Sequence, residues 1–356
     1  MNGRVHNFYA GPGVLPLSVI DELREQLPNL YGVGVGLMEI SHRSKTFEDI
    51  VDSAIERTRR VLSLPKDTTV LFLQGGASLQ FSMLPQNLLQ GGTADYIDTG
   101  VWSAKAIKEA KLFGTVNVPW SGKADNYRAV PSAWTSSPDP VYTHYTSNNT
   151  IYGTEFHEIP KVKGPLICDA SSDIASRPID GSRFDVIYAG AQKNLGPSGV
   201  TLVTLSPRAM ERCARGLPSM LSYAVHAADK SLYNTPNTVG VFVLERVLAW
   251  VEEQGLAAVA ARNQRKASLL YDLFDSSDFW QPHAERGSRS LMNITWRLTM
   301  SELEEPLVKE AERAGFVGLK GHRSVGGLRA SVYNACPEES VAALADFLKE
   351  FERIHG

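Results

Sequence analysis

A chain of 356 residues, 43% hydrophobic and 21% charged, has the make-up of a globular protein able to bury a sizeable core. Its net charge of −3 gives no electrostatic case for nucleic acid or a membrane surface, and no stretch reaches the ~20 apolar residues of a membrane span. Cys168, Cys213 and Cys336 are too few and too scattered for a disulfide framework or a zinc site, and no leader peptide is visible, so the expected compartment is a reducing cytoplasm.

The opening "YAGPGVLP" reads as a turn-rich arm. A helix is expected from Ser18 to about Leu27 with Ser18 as N-cap. An amphipathic helix follows from about Phe47 to Leu62, with Ile50, Ala54, Ile55, Thr58 and Leu62 on one face. Short apolar strands then alternate with helical stretches: "TTVLFLQGGAS" and "SLQFSMLPQNLL", "TADYIDTGVWSAKAIKEAKLFG", "PVYTHYTSNNTIYG", "PLICDASSDIAS" and "FDVIYAGAQKNLGPSG". The alternation predicts an α/β fold with a mostly parallel sheet, in which ligands collect outside the carboxyl ends of the strands. A long helix is expected from Asn237 to near Gly255 and another from Leu256 to Asp275. Beyond them "SLMNITWRL", "GFVGLKGH" and "GLRASVYNA" alternate with helices, as in a smaller α+β domain. The division is placed at 1–255, arm and large domain, and 256–356, small domain.

The unusual polar residues stand at strand ends. Lys193 occupies a short turn between two apolar runs, where its charge is costly; a lysine that sheds its proton there is a nucleophile toward carbonyls. Its ordinary alternative is a solvated turn lysine. Asp169 ends "PLICD" and could cap a following helix, or could keep a pyridinium nitrogen protonated. Aspartate at one strand end and lysine at the next is the order of many pyridoxal-phosphate enzymes. Gly75 and Gly76 let the backbone approach an anion, and the helix starting near Ala77 and Ser78 offers free N–H groups to a phosphate. Trp102 could stack on a flat cofactor or pack in the core. Thr150 could donate to a ring hydroxyl, and Gln192 could reach a phosphate or the ring. Two His-Arg pairs, His42-Arg43 and His322-Arg323, with Arg329 nearby, suit a substrate carrying a carboxylate and a second, doubly charged anion.

Together "FYAGPGVLP", "EISHRSKTFE", "LFLQGGASLQF", "YAGAQKNLGPSGVT", "SLYNTPNT" and "GHRSVGGLRASVYNA" resemble the phosphoserine aminotransferase family, class V pyridoxal-phosphate transaminases of fold type I. The similarity runs in register from about residue 6 to residue 336. It implies a Schiff base between Lys193 and pyridoxal 5′-phosphate, with Asp169 at the ring nitrogen, Trp102 on the ring and Thr150 at the 3-oxygen. Ala77, Ser78 and Gln192 would hold the phosphate, joined by Asn234 and Thr235 of the partner subunit in a homodimer. Arg329 would bind the substrate carboxylate; His322 and Arg323, with His42 and Arg43 of the partner subunit, would bind the substrate phosphate. Ser78 stands where some relatives have arginine. The implied reaction transfers the amino group of L-glutamate to 3-phosphohydroxypyruvate, giving O-phospho-L-serine and 2-oxoglutarate, as in serine biosynthesis. Whether 4-phosphohydroxythreonine, of pyridoxine biosynthesis, is also a substrate stays open at this level. A glyoxylate transaminase or a cysteine desulfurase would keep Lys193 and Asp169 but has no need of two His-Arg pairs, and Cys336 in "YNACPEES" does not resemble a desulfurase loop. A cofactor-binding regulator would need a DNA-binding segment, and none is visible.

Overall fold

The computed structural model describes residues 3–356. Seven strands form the main sheet: β1 Thr69–Leu73, β2 Thr93–Asp98, β3 Thr115–Ser121, β4 Thr143–Thr146, β5 Leu166–Asp169, β6 Val186–Gly190 and β7 Thr201–Leu205, in the order β1-β7-β6-β5-β4-β2-β3. Strand β7 runs antiparallel to both neighbours; the other pairings are parallel. The result is the mostly parallel mixed sheet expected from the βα rhythm. Both faces are covered, which is why these strands read as continuous apolar runs. Val70 and Phe72 point into one core layer and Leu71 and Leu73 into the other.

Helix α1, Leu17–Gln26, begins after Pro16 rather than at a Ser18 cap. Proline fixes φ at −57° at the Pro16 N-cap, and no side chain caps the helix, so Ser18 lies inside the first turn. Helix α2, Lys45–Val61, starts two residues before the expected Phe47 because Ser44 Oγ accepts from the Phe47 amide at 3.3 Å. Its buried face, Phe47, Ile50, Val51, Ala54, Ile55, Thr58 and Val61, packs against one side of the sheet together with α5, Thr238–Gln254. On the other side lie α3, Gly76–Leu88, and α4, Val101–Ala110. Asn237 caps α5, and a left-handed Gly255 (φ 74°) separates it from α6, Leu256–Asp275.

A three-stranded antiparallel sheet follows: β8 Trp280–Pro282, β9 Asn293–Leu298 and β10 Leu328–Ser331, with α6, α7 Glu304–Arg313 and α8 Glu338–His355. These elements share a third core, which Phe8 of the N-terminal arm also enters. The arm is tied there by His6–Asn7, which pairs in parallel with Phe316–Val317. None of the helices among the described residues is long and apolar enough to cross a membrane.

Candidate active site

Because β1, β2, β4, β5 and β6 run in one direction, the loops leaving their carboxyl ends meet above the sheet. A cleft forms there, lined by Ala77 and Ser78 after β1, Trp102 after β2, Thr150 after β4, Asp169 at the end of β5, and Gln192 and Lys193 after β6. Seven predicted residues thus come together from the carboxyl ends of five strands.

Lys193 lies in a turn, residues 191–195, between β6 and β7. Its Nζ donates to Thr150 Oγ1 at 2.6 Å and stands 5.6 Å from the centre of the Trp102 ring. Burial lowers its pKa to about 8, although the Asp169 carboxylate pulls the other way. At neutral pH about one amine in ten is then unprotonated and nucleophilic. The N-terminal arm closes over this turn. The Gly13 amide donates to the Gln192 carbonyl at 2.7 Å, and a Cβ on Gly13 would lie 2.9 Å from the Lys193 carbonyl oxygen and 2.8 Å from the Tyr333 ring. Only glycine fits that approach.

Asp169 is buried, and burial pushes its pKa up against the opposing pull of Ser171. Ser171 donates to the same oxygen, Oδ1, through its amide at 3.0 Å and its hydroxyl at 2.6 Å. No helix follows, the next residues forming turns, so the capping alternative gives way to a carboxylate held on the floor of the cleft. Trp102 presents its ring to the cleft, and its indole Nε1 is buried without a partner. At the far end Gly75 (φ 87°) and Gly76 (φ 65°) turn the chain into α3, whose first amides have no intrahelical acceptor.

Arg329, on β10, reaches the cleft edge by donating from Nη1 to the Thr150 carbonyl at 3.1 Å, while its buried Nε has no partner. His322 lies in the loop before β10, with Nδ1 2.7 Å from Ser324 Oγ. Burial and then the charges of Arg329, Arg323 and Lys105 hold its pKa down, and Val325 of the same loop packs on the hydrophobic cluster that Trp102 also packs against. Arg323 is exposed beside it.

Seven predicted residues do not line the cleft of their own chain: Arg329, His322 and Arg323, just described, and four others. His42 and Arg43 sit in the turn before α2, and Asn234 and Thr235 lie near β1, where Gln74 Nε2 donates to the Thr235 carbonyl at 3.0 Å. The cleft also contains residues that sequence reasoning passed over: Phe81, Thr146, Asn148, Ser171 and Ser172. For Ser171, the "DASSD" run was a readable signal, since an aspartate side chain commonly bonds the backbone two residues on.

A buried carboxylate, an amine with lowered basicity, an indole wall and a helix amino end suit a pyridine aldehyde bearing a phosphate. The aminotransferase class-V family model matches residues 5–344. The phosphoserine aminotransferase of Desulfosudis oleivorans is 50% identical over the full length of both chains. The crystal form from Bacillus circulans subsp. alkalophilus superposes with a TM-score of 0.96 at 47% identity, covering 99% of each chain. The PLP-bound enzyme of Trichomonas vaginalis gives 0.92 at 36% identity, covering 97% of this chain and all of its own. The chain belongs to the class-V aminotransferases, and is a transaminase with pyridoxal 5′-phosphate as its cofactor.

Proposed function

We propose that the chain transfers the amino group of L-glutamate to 3-phosphohydroxypyruvate, reversibly, giving O-phospho-L-serine and 2-oxoglutarate. The observation that carries this reading is that Arg329, whose charge together with that of Arg323 acts on His322, bonds the same Thr150 that holds Lys193. A substrate with a carboxylate at one end and a phosphate at the other meets complementary charge at both. Glutamate uses the same groups, its side-chain carboxylate standing in for the phosphate.

The bound cofactor supplies an aldehyde and a ring that takes up the electron pair left at the substrate α-carbon. The protein does the rest. Lys193 Nζ would hold the cofactor at its aldehyde carbon and, freed when the substrate amine takes its place, would carry the proton away from the α-carbon. Asp169 keeps a proton on the ring nitrogen. Trp102 would stack on the ring, Thr150 Oγ1 would bond the 3-oxygen, and Ala77, Ser78 and Gln192 would hold the phosphate. Arg329 grips the substrate α-carboxylate.

The remaining assigned residues need a second copy of the chain. In a homodimer, Asn234 and Thr235 of the partner subunit complete the cofactor phosphate site, and His42 and Arg43 of the partner subunit face the substrate phosphate. The stretch just before His42 supports this: Tyr31, Val33, Val35 and Met38 are exposed apolar side chains, Met38 by 73%. Dividing the chain at Gly255 assigns Lys193 to the large domain and Arg329, His322 and Arg323 to the small one, so substrate is held between them. Three free thiols suit a reducing cytoplasm.

The test is a steady-state comparison, with glutamate as donor, of 3-phosphohydroxypyruvate, unphosphorylated hydroxypyruvate and glyoxylate. A strong kcat/KM preference for the phosphorylated acceptor is expected; equal rates would overturn the assignment. The keto acid corresponding to 4-phosphohydroxythreonine presents the same two anions and is the second acceptor to assay.

A further inference from the structure

Beneath Asp169 lies a buried polar cluster that the proposed chemistry leaves unused. Tyr188 stands opposite Asp169 in the β5–β6 register, so the two side chains share a face of the sheet, with the phenol near enough to the carboxylate to favour its charged form. The Tyr188 hydroxyl is also 2.8 Å from His144 Nε2 on β4. His144 is 1% exposed and stacks on Tyr96 at 4.6 Å between ring centres, and its Nδ1 has no hydrogen-bond partner.

These contacts give the cluster a direction. An ionised carboxylate can only accept, so the phenol proton points to Asp169. The phenol oxygen is then the acceptor for His144, whose proton must sit on Nε2. The tautomer leaves Nδ1 as a bare acceptor, which fits the lack of any partner there. Burial keeps the imidazole neutral.

We propose that Tyr188 and His144 are positioning residues for the cofactor's ring nitrogen: the chain His144 Nε2–H to Tyr188 O–H to Asp169 keeps that carboxylate charged and aimed at the ring. Ser171 saturates Oδ1 from one side, and the phenol stabilises the charge from beneath, so a carboxylate whose burial favours protonation stays ionised when a pyridinium faces it. The inference rests on Asp169 being the partner of the ring nitrogen.

The experiment uses holoenzyme reconstituted with pyridoxal 5′-phosphate carrying ¹⁵N in the ring, whose chemical shift reports protonation of that nitrogen directly. Tyr188→Phe, which removes only the hydroxyl, is expected to move the resonance toward the unprotonated value. It should also lower kcat about ten-fold, the weight of one hydrogen bond to a charged group, with little change in the KM for glutamate. His144→Phe should shift the resonance in the same direction, while His144→Gln, which keeps an N–H donor, should restore it. An unmoved resonance in Tyr188→Phe overturns the proposal, as does an identical one in His144→Phe and His144→Gln should Tyr188→Phe fail to fold. Asp169→Asn separates the two levels. If it alone moves the resonance, the Tyr188–His144 chain is wrong and the Asp169 assignment stands; if it does not, both fall.

Discussion

Thr150 joins Lys193 to Arg329: its hydroxyl accepts from the lysine Nζ at 2.6 Å and its carbonyl accepts from the arginine at 3.1 Å. One residue therefore sets the distance between the reactive amine and the guanidinium assigned to the substrate carboxylate. Lys193→Ala should remove both the covalent anchor and the proton carrier. Turnover is expected to fall by at least about 10²–10⁴-fold, and the purified protein should lack the visible absorbance of lysine-bound cofactor. Full activity in this variant would refute the assignment.

The lowered basicity of Lys193 can be read without catalysis. Only the unprotonated amine reacts with an acylating reagent. With its pKa lowered to about 8, labelling of Lys193 in the cofactor-free protein should rise ten-fold per pH unit below that point and level off above it. An ordinary surface lysine continues to rise toward pH ~10.4. Peptide mass spectrometry across a pH series distinguishes the two. The sign for stability follows from the same shift: the unfolded amine holds its proton more tightly than the folded one, so this residue's contribution favours folding increasingly from about pH 8 upward.

Arg329→Ala and Arg323→Ala should each weaken binding of the phosphorylated acceptor. Each removes a charge-assisted contact worth about 1.5–3 kcal/mol, so KM is expected to rise roughly ten- to hundred-fold. Arg329→Lys should recover little, because an ammonium cannot replace a planar two-pronged donor. Unchanged kinetics in both alanine variants would remove the anion-pocket argument.

The proposed sharing of sites between subunits makes a quantitative prediction for mixtures. Lys193→Ala and Arg43→Ala are each expected to be poorly active alone. In a mixed dimer one site combines an intact Lys193 with an intact Arg43 of the partner subunit. Co-refolding equal amounts should then restore about one quarter of the parent's sites by random pairing. No recovery, with dimers verified by light scattering, would mean that each chain's site is self-sufficient.

Much of this architecture was legible because burial leaves a pattern. Strands covered on both faces have no polar alternate, so "TVLFL", "LICD" and "VIYAG" stand out, and a charged residue directly after such a run is conspicuous. Lys193 and Asp169 were visible for that reason. The start of α1 was misplaced because a serine is the commoner cap, whereas here a proline already supplies the backbone angle. The arm over the lysine turn was not legible at all. Gly13 touches Lys193 and Tyr333, residues far apart in the chain, and no local pattern marks a contact made by the absence of a side chain. The Asp169–Tyr188–His144 cluster was hidden for a related reason. Tyrosine and histidine in a strand look like ordinary β-formers; the register, which sets Tyr188 beside Asp169, and the 2.8 Å contact of Tyr188 with His144 reveal the cluster.

The reversed strand β7 has a consequence for what can fit above the sheet. It lies between β1 and β6 with its amino end, Thr201, beside Leu73 and Gly190, so what rises between the glycine turn at 75–76 and β6 is the short connection 191–200 that carries Lys193 into β7. The two flanking strands are thereby held two hydrogen-bonding intervals apart, about 9.5 Å. That spacing is a built-in gauge, fixing how far the glycine turn at one strand's exit stands from the lysine-bearing turn at the other's.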